Sequence, residues 1–295
     1  MIATTGFFDG VHLGHRLVIE RLVSLARERG DESLVVTFWP HPRAVLQDGA
    51  RELRLLNSLE EKKELLRSLG VDRVEVLDFT RSFAALTAEQ YLREILRDRF
   101  GVTTLLMGYD NRLGSDRLTA DTLKPIAEGI GMELKELLPL SFRPSEASGE
   151  ISSTQIRTAL ENGDIASAAE MLGYRYSLKG VVVAGNRLGR TIGFPTANMK
   201  LYEPLKLVPG RGVYAVEAEV LGKKYRGMTN IGLRPTVGGS FTTIETHILD
   251  FDEDIYGLPL RITFLRRLRD EVHFPSLEAL KDQLEKDREC CREQK

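Results

Sequence analysis

The sequence predicts an α/β fold: a doubly wound parallel sheet followed by a small antiparallel β-barrel domain with a C-terminal helix. Three observations lead there. From the first residue to about residue 140, short β-rich runs alternate with amphipathic helical patterns, as in parallel strands joined by crossover helices. Beyond Tyr174, strand-like runs succeed one another without helices, which calls for antiparallel pairing and closes most economically as a barrel. Between the two regions, Gly163-Asp164 separates one helical stretch from another at Ile165 to Leu172, and Gly173 ends it. The expected boundary is therefore Gly173, with one domain over residues 1–173 and a second over residues 174–295.

Composition narrows the function classes. A chain of 295 residues can bury a sizeable core in two domains of ordinary size. Its net charge of −2, with no block of Lys and Arg interleaved with aromatics, argues against a nucleic-acid partner and leaves small anionic ligands open. Cys290 and Cys291 are adjacent, without metal-ligand spacing or a distant partner, so a reducing cytoplasm is the expected compartment. No apolar run reaches the length of a membrane span and no basic-then-apolar leader opens the chain, so neither membrane insertion nor export is expected. Oligomeric state leaves no trace in the sequence.

The first element is a strand over Ile2 to Phe8. The run Gly6-Phe7-Phe8-Asp9-Gly10-Val11-His12-Leu13-Gly14-His15 hands it to an amphipathic helix over Arg16 to Arg29. A helix N-terminus offers unpaired N–H groups and a positive dipole end, which attract phosphate before any side chain contributes. His12 and His15, three residues apart in the first turn, can both face such an anion, and Gly14 lets the backbone come close. Taken alone, two histidines there can equally do no more than solvate a helix start.

Further strands are expected at Ser33 to Trp39, Arg73 to Leu77, Thr103 to Met107 and Met132 to Leu138. Ser58 with Glu61 and Thr87 with Gln90 have capping-box spacing, while Gly70 and Gly101 follow helix ends. In a doubly wound sheet, ligands sit beyond the carboxyl ends of the strands, where the opening motif and two further loops lie. In Trp39-Pro40-His41-Pro42-Arg43 the two prolines predict an extended path without helix, and His41 is a surface residue as readily as a ligand contact. The other loop is Gly108-Tyr109-Asp110-Asn111-Arg112-Leu113-Gly114. After a surface loop rich in Pro, Ser and Gly from Pro139 to Glu150, Ile151-Ser152-Ser153-Thr154-Gln155-Ile156-Arg157 starts a helix whose hydroxyls can cap it or hold phosphate oxygens.

These stretches resemble, in order, the signatures of the HxGH nucleotidyltransferases, and among them those of the bacterial enzymes that make FMN and FAD from riboflavin. The opening run matches GxFDGVHxGH. The proline loop matches TF-x-PHP, with Trp39 where an acid is common, and the next loop resembles GxDFxFG, with Asn111 and Leu113 replacing its phenylalanines. The helix start matches ISSTxIR. The resemblance implies a Rossmann-like domain in which His12 and His15 bind the ATP phosphates and stabilise the departing pyrophosphate. It implies nucleotide contacts from Gly6, Phe7, Asp9, Gly10, Gly14, Gly108 and Asp110, a phosphate clamp from Ser153, Thr154 and Arg157, and a flavin contact from Asn111. Members of the family usually carry a short leader, whereas this chain starts almost on its first strand.

In the second half, strands are expected at Tyr176 to Ala184, Gly212 to Val220, Lys223 to Ile231, Phe241 to Phe251 and Leu258 to Arg267, before a terminal helix from Ser276 to Gln294. The run GVVVAGNRLGRTIGFPTAN, Gly180 to Asn198, is a residue short of a Walker-type loop, has Arg for Lys and leads into Gly-Phe-Pro, so a flexible Gly-rich flap is expected. Alternation on the strand from Phe241 puts Glu245 and His247 opposite Ile244 and Ile248. A carboxylate there can act as a base or remain a solvated edge charge.

That Gly180 to Asn198 run, together with Asn230 to Thr236, Glu245 to Phe251, Tyr256-Gly257, and Arg269-Asp270-Glu271 with Phe274, resembles the riboflavin kinase half of the same family. The resemblance implies that Gly185, Arg190 and Gly193 belong to a flap over ATP and that Thr196 and Asn198 coordinate Mg2+ and phosphate. It further implies that Glu245 takes the proton from the terminal hydroxyl of riboflavin, and that Arg269, Glu271 and Phe274 border the flavin. The implied activity is bifunctional. ATP phosphorylates riboflavin to FMN, and a second ATP transfers AMP to FMN, giving FAD and pyrophosphate. ATP is then co-substrate, Mg2+ the cofactor, and riboflavin, FMN and FAD the other ligands. Two narrower readings stay open at this point: a kinase whose adenylyltransferase half is weakened by Asn111 and Leu113, and a non-catalytic flavin-binding regulator.

Overall fold

The computed structural model describes residues 1–46, 53–108, 111–137, 151–185, 188–236 and 239–292. The chain divides into two compact units, Met1–Ser153 and Thr154–Lys295.

The first unit runs β1 (Ile2–Thr5), α1 (Leu13–Arg29), β2 (Ser33–Trp39), α2 (Pro42–Leu46), α3 (Leu59–Ser68), β3 (Arg73–Asp78), α4 (Arg81–Ala84) and α5 (Ala88–Gln90), which passes into a wider π-helical stretch over Tyr91–Arg99. β4 (Thr104–Gly108), α6 (Ala120–Gly129) and β5 (Glu133–Leu137) follow. All five strands are parallel, in the order β3-β2-β1-β4-β5. The chain thus moves outward from β1 to β3, then returns to the other side of β1, and the order reverses between β1 and β4. That reversal opens a crevice at the carboxyl ends of those two strands, beside the motif that follows β1. Neighbouring residues of β1 feed opposite cores: Ile2 packs with Leu22 and Ala26 of α1, and Ala3 with Leu92, Leu96 and Leu123.

The expected caps form. Ser58 with Glu61 and Thr87 with Gln90 each make both bonds of a capping box, an arrangement worth about 1 kcal/mol per helix. Two details differ from expectation. β1 stops at Thr5, because Phe8 (φ 53°), Gly10 (φ 83°) and Val11 (φ 38°) all take left-handed backbone and turn the chain sharply into α1. Pro42, expected to prolong an extended path, instead begins α2. A proline at the first helical position lacks only an N–H that the helix would not have bonded.

The second unit carries α7 (Ser153–Glu161, starting on the last residue of the first unit), α8 (Ile165–Leu172), β6 (Ser177–Val183), α9 (Leu188–Thr191), β7 (Ala197–Leu201), β8 (Gly212–Val220), β9 (Lys223–Thr236), β10 (Gly239–Ile248), β11 (Pro259–Arg269) and α10 (Leu277–Arg292). The strands close an antiparallel barrel in the order β10-β7-β6-β11-β8-β9. Tyr176, Tyr214 and Phe264 are fully buried, the Tyr214 ring standing edge-on to Phe264 at 5.3 Å. The α7 end packs on this unit: Leu160 O accepts from Gly210 N at 2.8 Å, and Asn162 O from Arg267 at 3.1 Å. β7 was not foreseen. Its sequence, Ala-Asn-Met-Lys-Leu, alternates apolar and polar residues over only five positions and buries only Met199, yet it bridges β6 to β10 and closes the barrel.

Candidate active sites

In the first unit, the loop after β1 delivers His12 to the N-cap of α1, with φ −66° and ψ 172° and no side-chain cap bond. The N–H groups of the first turn are therefore left to whatever meets the helix end. The His12 and His15 rings stack with centroids 3.7 Å apart and planes 20° apart. A Cβ at Gly14 would lie 3.3 Å from the His12 ring, so glycine lets that imidazole fold across the helix end. Ser153 reaches the same turn, its hydroxyl donating to the carbonyl of Asp9 at 3.0 Å. Burial holds the His15 pKa well below the ordinary histidine value, helped by the charges of His12 and Lys62. His15 is thus neutral at neutral pH. Its Nδ1 is buried and has no hydrogen-bond partner among the described residues. An orphaned ring nitrogen beside a helix N-terminus suits a site whose ligand supplies the acceptor or donor.

The other predicted residues of this motif hold the turn. Asp9 is buried, and its carboxylate accepts from Leu56 N at 3.0 and 3.3 Å, which fastens the motif to the segment leading into α3. Gly6 sits under Phe8, where a Cβ would stand 3.0 Å from the ring. Phe7 meets the His41 ring at 4.1 Å and, on its face, the ammonium of Lys62, 3.4 Å from the ring centroid. Beside this turn, sequence reasoning missed Lys62. It lies in the charge-rich run Leu-Glu-Glu-Lys-Lys-Glu-Leu-Leu, which reads as a solvated face, but occupies the apolar stripe between Leu59 and Leu66 and is fully buried.

Gly108 ends β4 and accepts from Asn111 N at 3.1 Å, which puts Asn111, half-buried, in the turn just past the strand. Asp110 lies outside the described residues. Leu113 is buried in the core cluster that contains Tyr91, Leu92 and Met107. Its place in the sequence pointed to a flavin-facing wall short of an aromatic ring; in the structure its side chain packs inward. Thr154 and Arg157 follow Ser153 on α7, Thr154 exposed and Arg157 half-buried.

In the second unit, β7 and β10 bring the predicted kinase residues together. Glu245 stands in register with Asn198 of β7 on one side and Asn230 of β9 on the other. The Thr196 hydroxyl is 3.5 Å from the Glu245 carboxylate. A Cβ at Gly185 would overlap the Asn198 amide, so glycine allows the flap to descend onto it. The flap is not wholly irregular: α9 adds one helical turn that carries Arg190, exposed, and Gly193 follows with φ 84°. Phe194 is buried beneath, its N–H bonded to Gly189 O at 2.8 Å.

Of these, Gly189, Phe194, Thr196 and Glu245 line a cavity of about 640 Å³ with Asn230, His247, Arg269, Glu271 and Phe274, a size that suits a small organic ligand. Glu245 and His247 face it together while Ile244 and Ile248 are buried, as alternation predicted. His247 shares a 2.8 Å hydrogen bond between Nδ1 and the Pro195 carbonyl, and burial lowers its pKa against the pull of that bond. Arg269 is held from below by Asp287 of α10, with Nε 3.0 Å and Nη2 2.8 Å from one carboxylate oxygen, and stands 5.5 Å from the Phe274 ring centroid. Asn230, His247 and Asp287 were not predicted as site residues. The first two lie within or beside family-like runs, whereas Asp287 sits on an ordinary helical face and gave no signal.

Comparison with known proteins decides between readings. The FAD synthetase family model matches residues 1–155 and the riboflavin kinase model residues 172–295. The bifunctional riboflavin kinase/FMN adenylyltransferase of Bacillus subtilis (strain 168) is 37% identical over 293 residues, 98% of this chain and 90% of that protein. Its namesake from Escherichia coli (strain K12) is 39% identical over 293 residues, 99% of this chain and 92% of that one. The chain belongs to the bifunctional riboflavin kinase/FMN adenylyltransferase family. A crystal structure from Streptococcus pneumoniae, described as a macrolide-efflux protein, shares its fold: 33% identity and a TM-score of 0.90, over 100% of this chain and 94% of that one. No described helix of the present family member is long and apolar enough to cross a membrane.

Proposed function

We propose that the chain performs both steps of its family in separate sites: riboflavin phosphorylation in the barrel unit and adenylyl transfer to FMN at the HxGH turn. The functional boundary is taken at Gly173, so residues 1–173 serve adenylyl transfer and residues 174–295 serve the kinase, with Ser153, Thr154 and Arg157 of α7 acting on ATP phosphates. The observation that carries the reading is the strand register that sets Asn198 directly beside Glu245, with the Thr196 hydroxyl 3.5 Å from that carboxylate.

For the kinase step, a flavin entering the cavity bordered by Arg269, Glu271 and Phe274 presents its terminal hydroxyl to Glu245. The carboxylate takes the proton as the oxygen attacks the γ-phosphorus, and ADP departs. The Gly185–Gly193 flap, with Arg190 on it, covers the nucleotide. The hydroxyl of Thr196 and the amide oxygen of Asn198 fit Mg2+, a hard ion that takes few protein oxygens and keeps waters and phosphate oxygens for the rest. When bound, the ion neutralises phosphate charge.

For adenylyl transfer, a phosphate oxygen of FMN attacks the α-phosphorus of ATP and pyrophosphate leaves. The α1 N-terminus, His12 and His15 meet the negative charge on the departing group. Gly6, Gly10, Gly14 and Gly108 keep the turn open to close approach, Phe7 and Asp9 hold it in shape, Asp110 completes the nucleotide contacts, and Asn111 faces the flavin. Neither step needs a covalent enzyme intermediate. The cytoplasm, where riboflavin and ATP are at hand, is the proposed compartment.

Glu245→Gln tests the division. It keeps shape and removes the proton acceptor, so riboflavin phosphorylation should fall about a hundredfold or more while FAD formation from supplied FMN stays normal. Retained phosphorylation would remove Glu245 from the mechanism.

A further inference from the structure

Lys62 is fully buried on α3, against the loop that follows β1. Its Nζ lies 3.4 Å from the Phe7 ring centroid and 3.4 Å from the Thr37 hydroxyl. That hydroxyl in turn donates to the Phe7 carbonyl at 3.2 Å, so one lysine fixes both the ring and the backbone of the residue that precedes the left-handed turn. Among the described residues, two ionisable groups face it: Asp9, whose charge favours the ammonium, and His15, whose protonation the ammonium opposes. Phe7, Thr37 and Trp39 carry no charge. The position belongs to an apolar stripe that leucine would fill without the cost of a buried charge. A cation is worth that cost where a polyanion arrives beside it.

Resting on the reading of this turn as the triphosphate site, we infer that Lys62 is a positioning residue for adenylyl transfer, holding Phe7 and supplying buried positive charge beside His15 for the incoming ATP. Lys62→Met in the full chain removes the charge and keeps the bulk. Its kcat/KM for ATP in FAD synthesis should fall about tenfold or more, with riboflavin phosphorylation unchanged in the same preparation. Two readouts separate charge from mere support. The imidazole titration of His15, followed by NMR, should move upward once the neighbouring ammonium is gone. Burial brings Lys62 down to about 7, with Asp9 pulling the other way, so the wild-type kcat/KM for ATP should decline as pH rises through about 7. That limb should vanish in the variant.

The melt checks folding with a definite sign. A lysine whose folded pKa lies below its ordinary 10.5 costs stability in full below about 7 and nothing above 10.5, so Lys62→Met should gain most in the acid range. Should it not fold, Lys62→Gln carries the same readouts. An active wild type with an equally active variant overturns the inference. So does lost activity with an unmoved His15 titration, which would make Lys62 a packing residue only. A wild type that makes no FAD from FMN overturns the reading of the site, and this inference with it.

Discussion

Leu113 occupies a core position with 8% exposure among residues that include Tyr91, Leu92 and Met107. A larger ring there must displace close-packed neighbours, at a typical cost of about 1–3 kcal/mol. Leu113→Phe is therefore expected to lower the melting temperature by several degrees without improving the KM for FMN; a tighter KM at unchanged stability would put the side chain back at the flavin. Residues proposed to carry chemistry are the ones that stand in a recognisable motif. His12, His15, Thr196, Asn198 and Glu245 were all read from their runs, and the structure puts the histidines in one stack and the other three in one corner of the barrel. Buried charges outside such motifs do not announce themselves. Lys62 is one charged residue among several in a helical run, and Asp287 another; only the burial of each distinguishes it.

Elements read best where periodicity is strong. β2 and β8 begin and end where alternation and composition put them, at Ser33–Trp39 and Gly212–Val220. β7 escaped because a strand paired on both sides gets its stability from neighbours, and its alternation runs for only five residues, directly after a run read as a turn. α2 was misread because proline forbids helix in its interior yet welcomes a start. α10 touches the cavity in two ways: Leu277, Leu280 and Leu284 line it, while Asp287, 4% exposed, pins Arg269 and is itself held by Gln283 at 2.9 Å. Removing one partner of a buried ion pair leaves the other charge uncompensated, typically at about 3–5 kcal/mol. Asp287→Ala should destabilise the barrel unit by that order in a denaturant titration and raise the KM for riboflavin several-fold. An unchanged KM would detach α10 from the flavin site.

At the scale of the molecule, both architectures follow from connectivity: strands separated by helices become a parallel sheet with its crevice at β1 and β4, and strands in direct succession close into a barrel. The compact units divide between Ser153 and Thr154, whereas the riboflavin kinase match begins at residue 172, beside Gly173. The central claim is that each ATP-dependent step has its own catalytic residues, His12 and His15 for adenylyl transfer and Glu245 for riboflavin phosphorylation. The most direct measurement supplies riboflavin, ATP and Mg2+ to wild type and to the His12→Ala/His15→Ala double variant, and resolves FMN from FAD over time. Wild type should form FMN and then FAD, while the double variant forms FMN at the wild-type rate and FAD at least about a hundredfold more slowly. FAD made by the double variant at the wild-type rate, or loss of FMN formation along with FAD in a folded protein, would contradict the account.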